Sequence, residues 1–220
     1  MSILNDLAKK YGTDKSSEIH NYCVKYEKYL PFNRYDNLNI MEIGILGGDS
    51  LRTWKEFYYR SNILGIDINP DCKQYEEDRM KVEIGSQFDA EFLTKIKTQY
   101  GPFDMILDDG SHMNEHVIYS FEHLWDSIKP GGVYVVEDVC TSYLPYYGGG
   151  RYLEGTMMEY FKGITDEVNF FGETLENFHN ANARREDKLV EQFEAKGYNY
   201  IGTQIESINF LNGIIIITKR

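Results

Sequence analysis

The stretch Asp104 to His116, DMILDDGSHMNEH, gathers acidic residues and two histidines around one glycine, and a second acidic pair, Glu137 and Asp138, follows in VVEDVCTSY. Residues of these types serve two chemistries. Read from its end, the stretch holds H-x-x-E-H, a spacing used by one class of zinc peptidases when both histidines project from one helix face. Read from its start, MILDD is a buried strand whose end presents Asp108 and Asp109, and Gly110 allows a turn that carries His112. On this second reading Asp109, Glu137 and Asp138 form an all-oxygen set suited to Mg2+ or Mn2+ rather than zinc. His112, three residues past one of these acids, becomes a general base for a hydroxyl that the metal polarises.

Which chemistry holds depends on the elements that carry these residues. Short apolar runs recur at LNIMEIG, NILGIDI, KVEIGS, FDMILDD and GVYVVED, each followed by a helical or loop stretch. Leu51, Trp54 and Tyr58 share one face of DSLRTWKEFYYR, and Val117, Phe121, Leu124 and Ile128 share one face of EHVIYSFEHLWDSI. Strand-helix alternation with continuously apolar strands indicates an α/β fold whose parallel sheet is covered on both faces. The closing YNYIGTQIE and GIIIITKR lie too close together for a helical crossover and are expected to pair antiparallel at one edge. In such a sheet the fourth and fifth strands are parallel neighbours about 4.8 Å apart. Asp109 then ends one strand beside Glu137 and Asp138 at the end of the other, and His112 precedes the next helix, which disfavours H-x-x-E-H.

A second group of residues points to a nucleotide-like ligand. MEIGILGGDSLRTW reads as a strand, a glycine turn through Gly44, Gly47 and Gly48, and a helix whose first N–H groups are free. LGIDINP ends in Asp67, roughly 20 residues past the glycines, where an acid holds a ribose hydroxyl pair. Glu42 before the glycines and Asp67 after them suit a cationic adenosine ligand better than a diphosphate, which carboxylates would repel. Ser86 and Gln87 of IGSQFD either reach an adenine edge or serve as turn and cap residues.

Together EIGILGGDSLRTW, GIDINP, LDDGSH, IKPGG and VVEDVCTSY resemble the class I S-adenosylmethionine-dependent methyltransferases. The likeness is greatest to the metal-dependent sugar O-methyltransferases of the macrolide-methylating type, and it runs from about Tyr11 to Tyr143. YGTDKSSEIHNY is similar to an N-terminal segment that folds over the methyl donor in such relatives. The resemblance therefore implies Tyr11, Thr13, Glu42, Gly44, Gly48, Asp67, Ser86, Gln87 and Asp108 as donor-binding candidates. It implies a Rossmann-like sheet of seven strands, mostly parallel with an antiparallel edge, in a single domain over residues 1–220. It further implies S-adenosylmethionine and Mg2+ (or Mn2+) as cofactors, and methyl transfer to a hydroxyl of a sugar or glycosylated small molecule. Leu46 departs from the pattern, standing where many methyltransferases carry glycine. Two alternatives remain: a non-catalytic nucleotide-binding subunit of the same fold, and a zinc hydrolase.

The surroundings of the site are sketched by composition. Ile19, Tyr22, Cys23, Tyr26, Tyr29 and Leu30 recur at helical spacing in SSEIHNYCVKYEKYL, predicting a helix that ends at Pro31 within an N-terminal cap over residues 1–36. Residues 141–182 lose periodicity and become aromatic and glycine-rich, as expected of an acceptor lid or a subunit contact. There Tyr143, Tyr146 and Tyr147 offer planes for a sugar ring. Trp54 and Trp125 read as core residues, and His20 as a residue of the site's mouth or of the surface. His179, Arg184 and Arg185 are candidates to grip an acceptor anion. The chain of 220 residues is long enough for a substantial core, and 18 Tyr and 12 Phe make it unusually aromatic. A net charge of −12 argues against a nucleic-acid partner. Three widely spaced cysteines, Cys23, Cys72 and Cys140, form no disulfide or metal framework and point to the cytoplasm. MSILNDLAKKYG is too polar for a signal peptide and no apolar run is long enough to cross a membrane, so neither is expected, and an exposed aromatic lid is compatible with a homo-oligomer.

Overall fold

Apolar runs rich in β-branched residues form the central strands, which are buried on both faces. The computed structural model describes residues 2–168, 195 and 200–220. It contains a seven-stranded sheet built from β1 (Asn39–Ile43), β2 (Asn62–Asp67), β3 (Met80–Ile84), β4 (Phe103–Asp108), β5 (Ile128–Val136), β6 (Ile205–Phe210) and β7 (Ile215–Lys219). Their spatial order is β3-β2-β1-β4-β5-β7-β6. The first five strands pair in parallel, and β7 joins β5 and β6 antiparallel, as expected. The order reverses between β1 and β4, so the crevice for a ligand lies above their C-terminal ends.

Alternate strand residues feed two separate cores. Ile40, Met105, Leu107, Val133 and Val135 pack with Leu4, Tyr26 and Trp54 of α1 (Ile3–Tyr11), α2 (Tyr22–Tyr29) and α3 (Asp49–Phe57). Met41, Ile43, Ile106, Tyr134 and Val136 pack with residues of α4 (Ala90–Tyr100), α5 (Asn114–Leu124) and α6 (Met157–Val168), Phe121 and Phe161 among them. Phe121 meets Trp125, Tyr134, Tyr160 and Phe161. Much of the aromatic excess is thus core, and each such ring contributes roughly 1.5–3 kcal/mol by burial. Trp54 and Trp125 are both buried, as expected.

Four local expectations are corrected. The helix predicted over SSEIHNYCVKYEKYL starts only at Tyr22, because Asn21 is left-handed (φ 57°), and residues 12–21 form a turn-rich loop that leaves Ile19 exposed. IKPGG is the bulged beginning of β5, where the register to β4 shifts between Phe103 and Met105. Ile128 accordingly belongs to that strand and not to α5. YNYIGTQIE does not run as a strand: α7 (Tyr200–Thr203) precedes β6, which begins at Ile205. Within the expected lid, Met157, Phe161 and Ile164 of α6 are buried against the sheet, so the exposed part of the described segment lies before it. Residues 169–182 of that lid, with His179, Arg184 and Arg185, lie outside the described residues. No described helix is long and apolar enough to cross a membrane.

Gly44 fastens β1 to β4 at the crevice. It has φ +81°, and a Cβ there would lie 2.2 Å from the Asp109 carbonyl oxygen. Gly44→Ala is therefore expected to destabilise the fold by roughly 3 kcal/mol, read as a lower urea midpoint; an unchanged midpoint would show that the strand ends can part without loss.

Candidate active site

The pleat separates the tandem acids. Asp108 and Asp109 are consecutive, but successive strand residues point to opposite faces. Asp108 turns toward α5, where its carboxylate accepts hydrogen bonds from Ser120 Oγ (2.5 Å), Tyr134 OH (2.9 Å) and Gln87 Nε2 (3.0 Å). Burial raises its pKa, and these donors pull it back. Asp109 turns to the opposite face. Its amide donates to Ile43 O and the Glu137 amide donates to Asp108 O, both at 2.9 Å, so the two strands extend one residue further in step. Glu42, Asp109 and Glu137 thereby reach the same side of the sheet edge.

What they meet there is Lys15, from the loop between α1 and α2. Its side chain is only 3% exposed, and its Nζ contacts Asp109 Oδ2, lies 2.9 Å from Glu137 Oε2 and 3.5 Å from Glu42 Oε1. Burial works against the ammonium, but Glu137, Asp109 and Glu42 outweigh it and hold its pKa above the usual lysine range. Glu137 is buried and also accepts Tyr26 OH at 2.5 Å. Burial raises the pKa of Asp109 and of Glu137, with Lys15 opposing in both. Glu42 is fully buried with Lys15 as its only close cation among the described residues, and burial pushes its carboxyl up to about 7. Three carboxyl groups crowded on one ammonium resist ionising together, as their raised pKa values show, and a cationic ligand beside them would favour their charged forms.

Outside this cluster opens a cavity of about 420 Å3, lined by Thr13, Lys15, the Gly44–Gly47 turn, Asp67, Asp109, His112 and Asp138. A second pocket of about 200 Å3, which includes Ile68, Ser86 and Gln87, shares Gly44, Asp67 and Gly110 with it. His112 sits on the turn before α5 with φ +57°, and Asp138 follows β5 with φ +49°. Left-handed backbone costs such residues about 1–2 kcal/mol each. It aims both side chains at the cavity, with His112 Nε2 3.8 Å from Asp138 Oδ2. One ligand atom from each of Asp109, His112 and Asp138 lies within 4.8 Å of the others. The two carboxylates so spaced are oxygen donors of the kind a hard divalent cation takes, and the imidazole stands beside them. Leu46, at the position where a glycine was noted as usual, adopts φ +41° and is 88% exposed. The turn thus keeps a glycine-like backbone without glycine.

Several candidates stand elsewhere than expected. Tyr11 bonds Glu56 of α3 and does not line the cavity, because the left-handed cap at Gly12 reverses the chain behind it. Gly48 begins α3 against the Tyr75 ring, leaving Gly47 on the cavity wall. Asp108 is sealed in the core. Gln87 spends its amide on Asp108 and Ser120 and accepts the Ser111 amide, so its polar atoms serve the protein interior. Ser86 Oγ accepts the Phe88 amide, a turn role. Glu42 lies behind Lys15, whereas Glu137 follows β5 beside Asp138 as expected, with its oxygens on Lys15 and Tyr26. His20 stacks on Tyr22 at the surface. His116 pairs with Ser111 and stacks on Phe88, so the two histidines of H-x-x-E-H do not converge. Asp67 accepts the Ile45, Leu46 and Asn69 amides, which fixes its carboxylate at the junction of the two pockets.

Sequence reasoning passed over Lys15, Tyr22 and Tyr26. Tyr22 OH donates to Asp138 Oδ1 at 2.7 Å. The four-residue step between the tyrosines marks one helix face, but nothing local distinguishes that face from ordinary core, and a lysine in a polar loop carries no signal.

Comparison with known proteins places the chain among methyltransferases. A family model described as a methyltransferase domain matches residues 41–139. Demethylmacrocin O-methyltransferase of Streptomyces fradiae is 42% identical over 153 residues, covering 66% of this chain and 38% of that protein. Mycinamicin VI 2''-O-methyltransferase of Micromonospora griseorubida is 38% identical over 175 residues, covering 75% and 44%. The match thus spans less than half the length of these curated relatives. Among solved structures, the MycE methyltransferase from the mycinamycin biosynthetic pathway, in complex with Mg and SAH, superposes with a TM-score of 0.82 and 32% identity. That match covers 98% of this chain and 54% of the other.

Glu42 gives the site a pH signature. With its folded pKa raised from 4.5 to about 7, it binds a proton on folding. The stability it contributes is full below pH 4.5 and is lost as pH rises through about 7. This amounts to a loss on the order of 3 kcal/mol. Glu42→Gln is expected to flatten that part of the curve of melting temperature against pH. A variant that tracks the wild-type curve would refute the assignment.

Proposed function

Because the chain belongs to the class I S-adenosylmethionine-dependent methyltransferases, we propose that it transfers a methyl group from S-adenosylmethionine to a hydroxyl of a sugar, free or on a glycosylated small molecule. The observation that carries this reading is the meeting, at one sheet edge, of a cavity walled by Gly44 and Asp67 with the Asp109, His112 and Asp138 side chains. The names of the relatives, sugar-acting O-methyltransferases among them, support the acceptor class.

When bound, S-adenosylmethionine supplies a methyl on a positively charged sulfur, and Mg2+ or Mn2+ supplies charge that acidifies the acceptor hydroxyl. The chain's own residues do the rest. Asp67, held by three backbone amides, turns its remaining lone pairs to the ribose hydroxyls. Thr13 and the Gly44–Gly47 turn enclose the donor, and the pocket beside Ser86 and Ile68 takes the adenine. Asp109, Glu137 and Asp138 would hold the cation through their carboxylate oxygens. His112 takes the hydroxyl proton onto its ring and orients the acceptor oxygen for in-line attack. Negative charge from the buried acids favours the sulfonium end of the donor. Residues 1–36 act as the cap, and the exposed Tyr143 and Tyr146, with Tyr147 edge-on to the His112 ring, belong to the described part of the acceptor lid over residues 141–182. The reading extends to a cytoplasmic site of action, supported by the free cysteines Cys23, Cys72 and Cys140.

The test is transfer of labelled methyl from S-adenosylmethionine to a panel of glycosylated polyketides, free sugars and nucleotide sugars, with and without Mg2+. Turnover on a glycosylated acceptor that EDTA abolishes is expected. His112→Ala should lower kcat roughly 10^2- to 10^4-fold while donor affinity, measured calorimetrically, holds. Donor binding without any acceptor turnover would favour the non-catalytic subunit. Full activity in the His112 variant would remove that residue from the reaction.

A further inference from the structure

Lys15 is held in place twice, by separate means. Its carbonyl accepts the amides of Tyr22 (2.9 Å) and Cys23 (3.1 Å), the first free donors of α2, so loop and helix form one unit. Its ammonium is gripped by Asp109, Glu137 and Glu42. The same unit reaches the other strand-end acids, through Tyr26 to Glu137 and Tyr22 to Asp138. Asp109 therefore looks two ways. It pairs with Lys15 on the inside, and on the outside it groups with His112 and Asp138.

We propose that Lys15 is a positioning residue whose ammonium competes with a divalent cation for Asp109 and thereby sets how tightly the site takes that cation. The inference rests on the cation reading given above. Its basis is electrostatic. A buried unit charge in contact with a ligand carboxylate lowers that carboxylate's attraction for a second cation, and little water intervenes to screen it. Removing the charge leaves Asp109, Glu137 and Glu42 without an internal rival. The Lys15 backbone stays anchored by α2, so the loop keeps its course when the side chain changes.

The experiment is calorimetric titration of the full chain with Mn2+ in the absence of donor, together with thermal melting. Lys15→Met keeps the length and loses the charge. It is expected to melt below wild type without Mn2+, to bind Mn2+ at least tenfold more tightly, and to show the larger Mn2+-induced rise in melting temperature. A residue that merely supported the structure would weaken binding when replaced. Lys15→Gln serves the same reading if the methionine variant does not fold, and recovery of folding on Mn2+ addition counts in favour. Wild-type binding with equal or weaker binding in a folded variant would overturn the role of Lys15 alone. Failure of Mn2+ to bind any of the chains would overturn the cation reading and this inference with it.

Discussion

One ammonium among three buried carboxylates is the constraint around which the upper edge of this sheet is arranged. Removing an ion from water costs several kcal/mol even after relaxation, and the cost is offset only where partners are close and well oriented. Lys15 meets that condition because β1, β4 and β5 deliver Glu42, Asp109 and Glu137 to one point, and because the loop before α2 closes over them. Take away the adjacency of β4 and β5 and the acids separate. Take away the close approach at Gly44 and the β4 end cannot reach its station. The N-terminal segment is thus bound to the sheet by charge as well as by the Leu4, Tyr26 and Trp54 packing beneath it.

The pleat then assigns opposite work to neighbouring residues of one type. Asp108 is saturated by Ser120, Tyr134 and Gln87 and stiffens the turn that follows, through Gln87 to the Ser111 amide. Asp109, one residue on, is left with a hydrogen-bond partner on one side and the cavity on the other. Backbone strain completes the division of roles. His112 and Asp138 take left-handed conformations that glycine would adopt freely; the Ser111 and Met113 amides are bonded on either side of His112, and Asp138 O accepts the Thr141 amide. Strain of this kind persists where the direction of a side chain matters more than local stability. The crowded acids, the cavity and the two strained residues share one small volume, and a methyl donor carrying positive charge fits it.

How far the sequence spoke for itself differed from element to element. Six of the seven strands, the parallel order of the first five and the antiparallel edge were legible, because continuous apolar runs and short connections are local properties, whereas the start of β6 was misplaced. So was the approach of Asp109 to Glu137 and Asp138, which follows from which strands are neighbours. The stretch from Ser16 to Asn21 misled, since Ile19 keeps helical spacing with Tyr22 and Cys23 yet points to solvent. Spacing records where apolar residues fall and says nothing of whether backbone amides find other partners, as the His20 and Asn21 amides do on Asp14 and Ser16. Tyr11, Gly48, Asp108 and Gln87 were named for the right region, but the direction of each side chain was decided by caps and pleats.

Composition, periodicity and motif spacing alone determined the fold class, the ligand-bearing edge of the sheet and the residue types that gather there. Tertiary structure alone decided which of those side chains face the cavity and what balances them. The partners in question are far apart in the chain: Lys15 and Asp109 by 94 residues, Tyr26 and Glu137 by 111, Tyr22 and Asp138 by 116. A hydrophobic period fixes the face of an element to within the residues of that element. A buried charge is answered only by whatever the folded chain brings within a few ångströms of it.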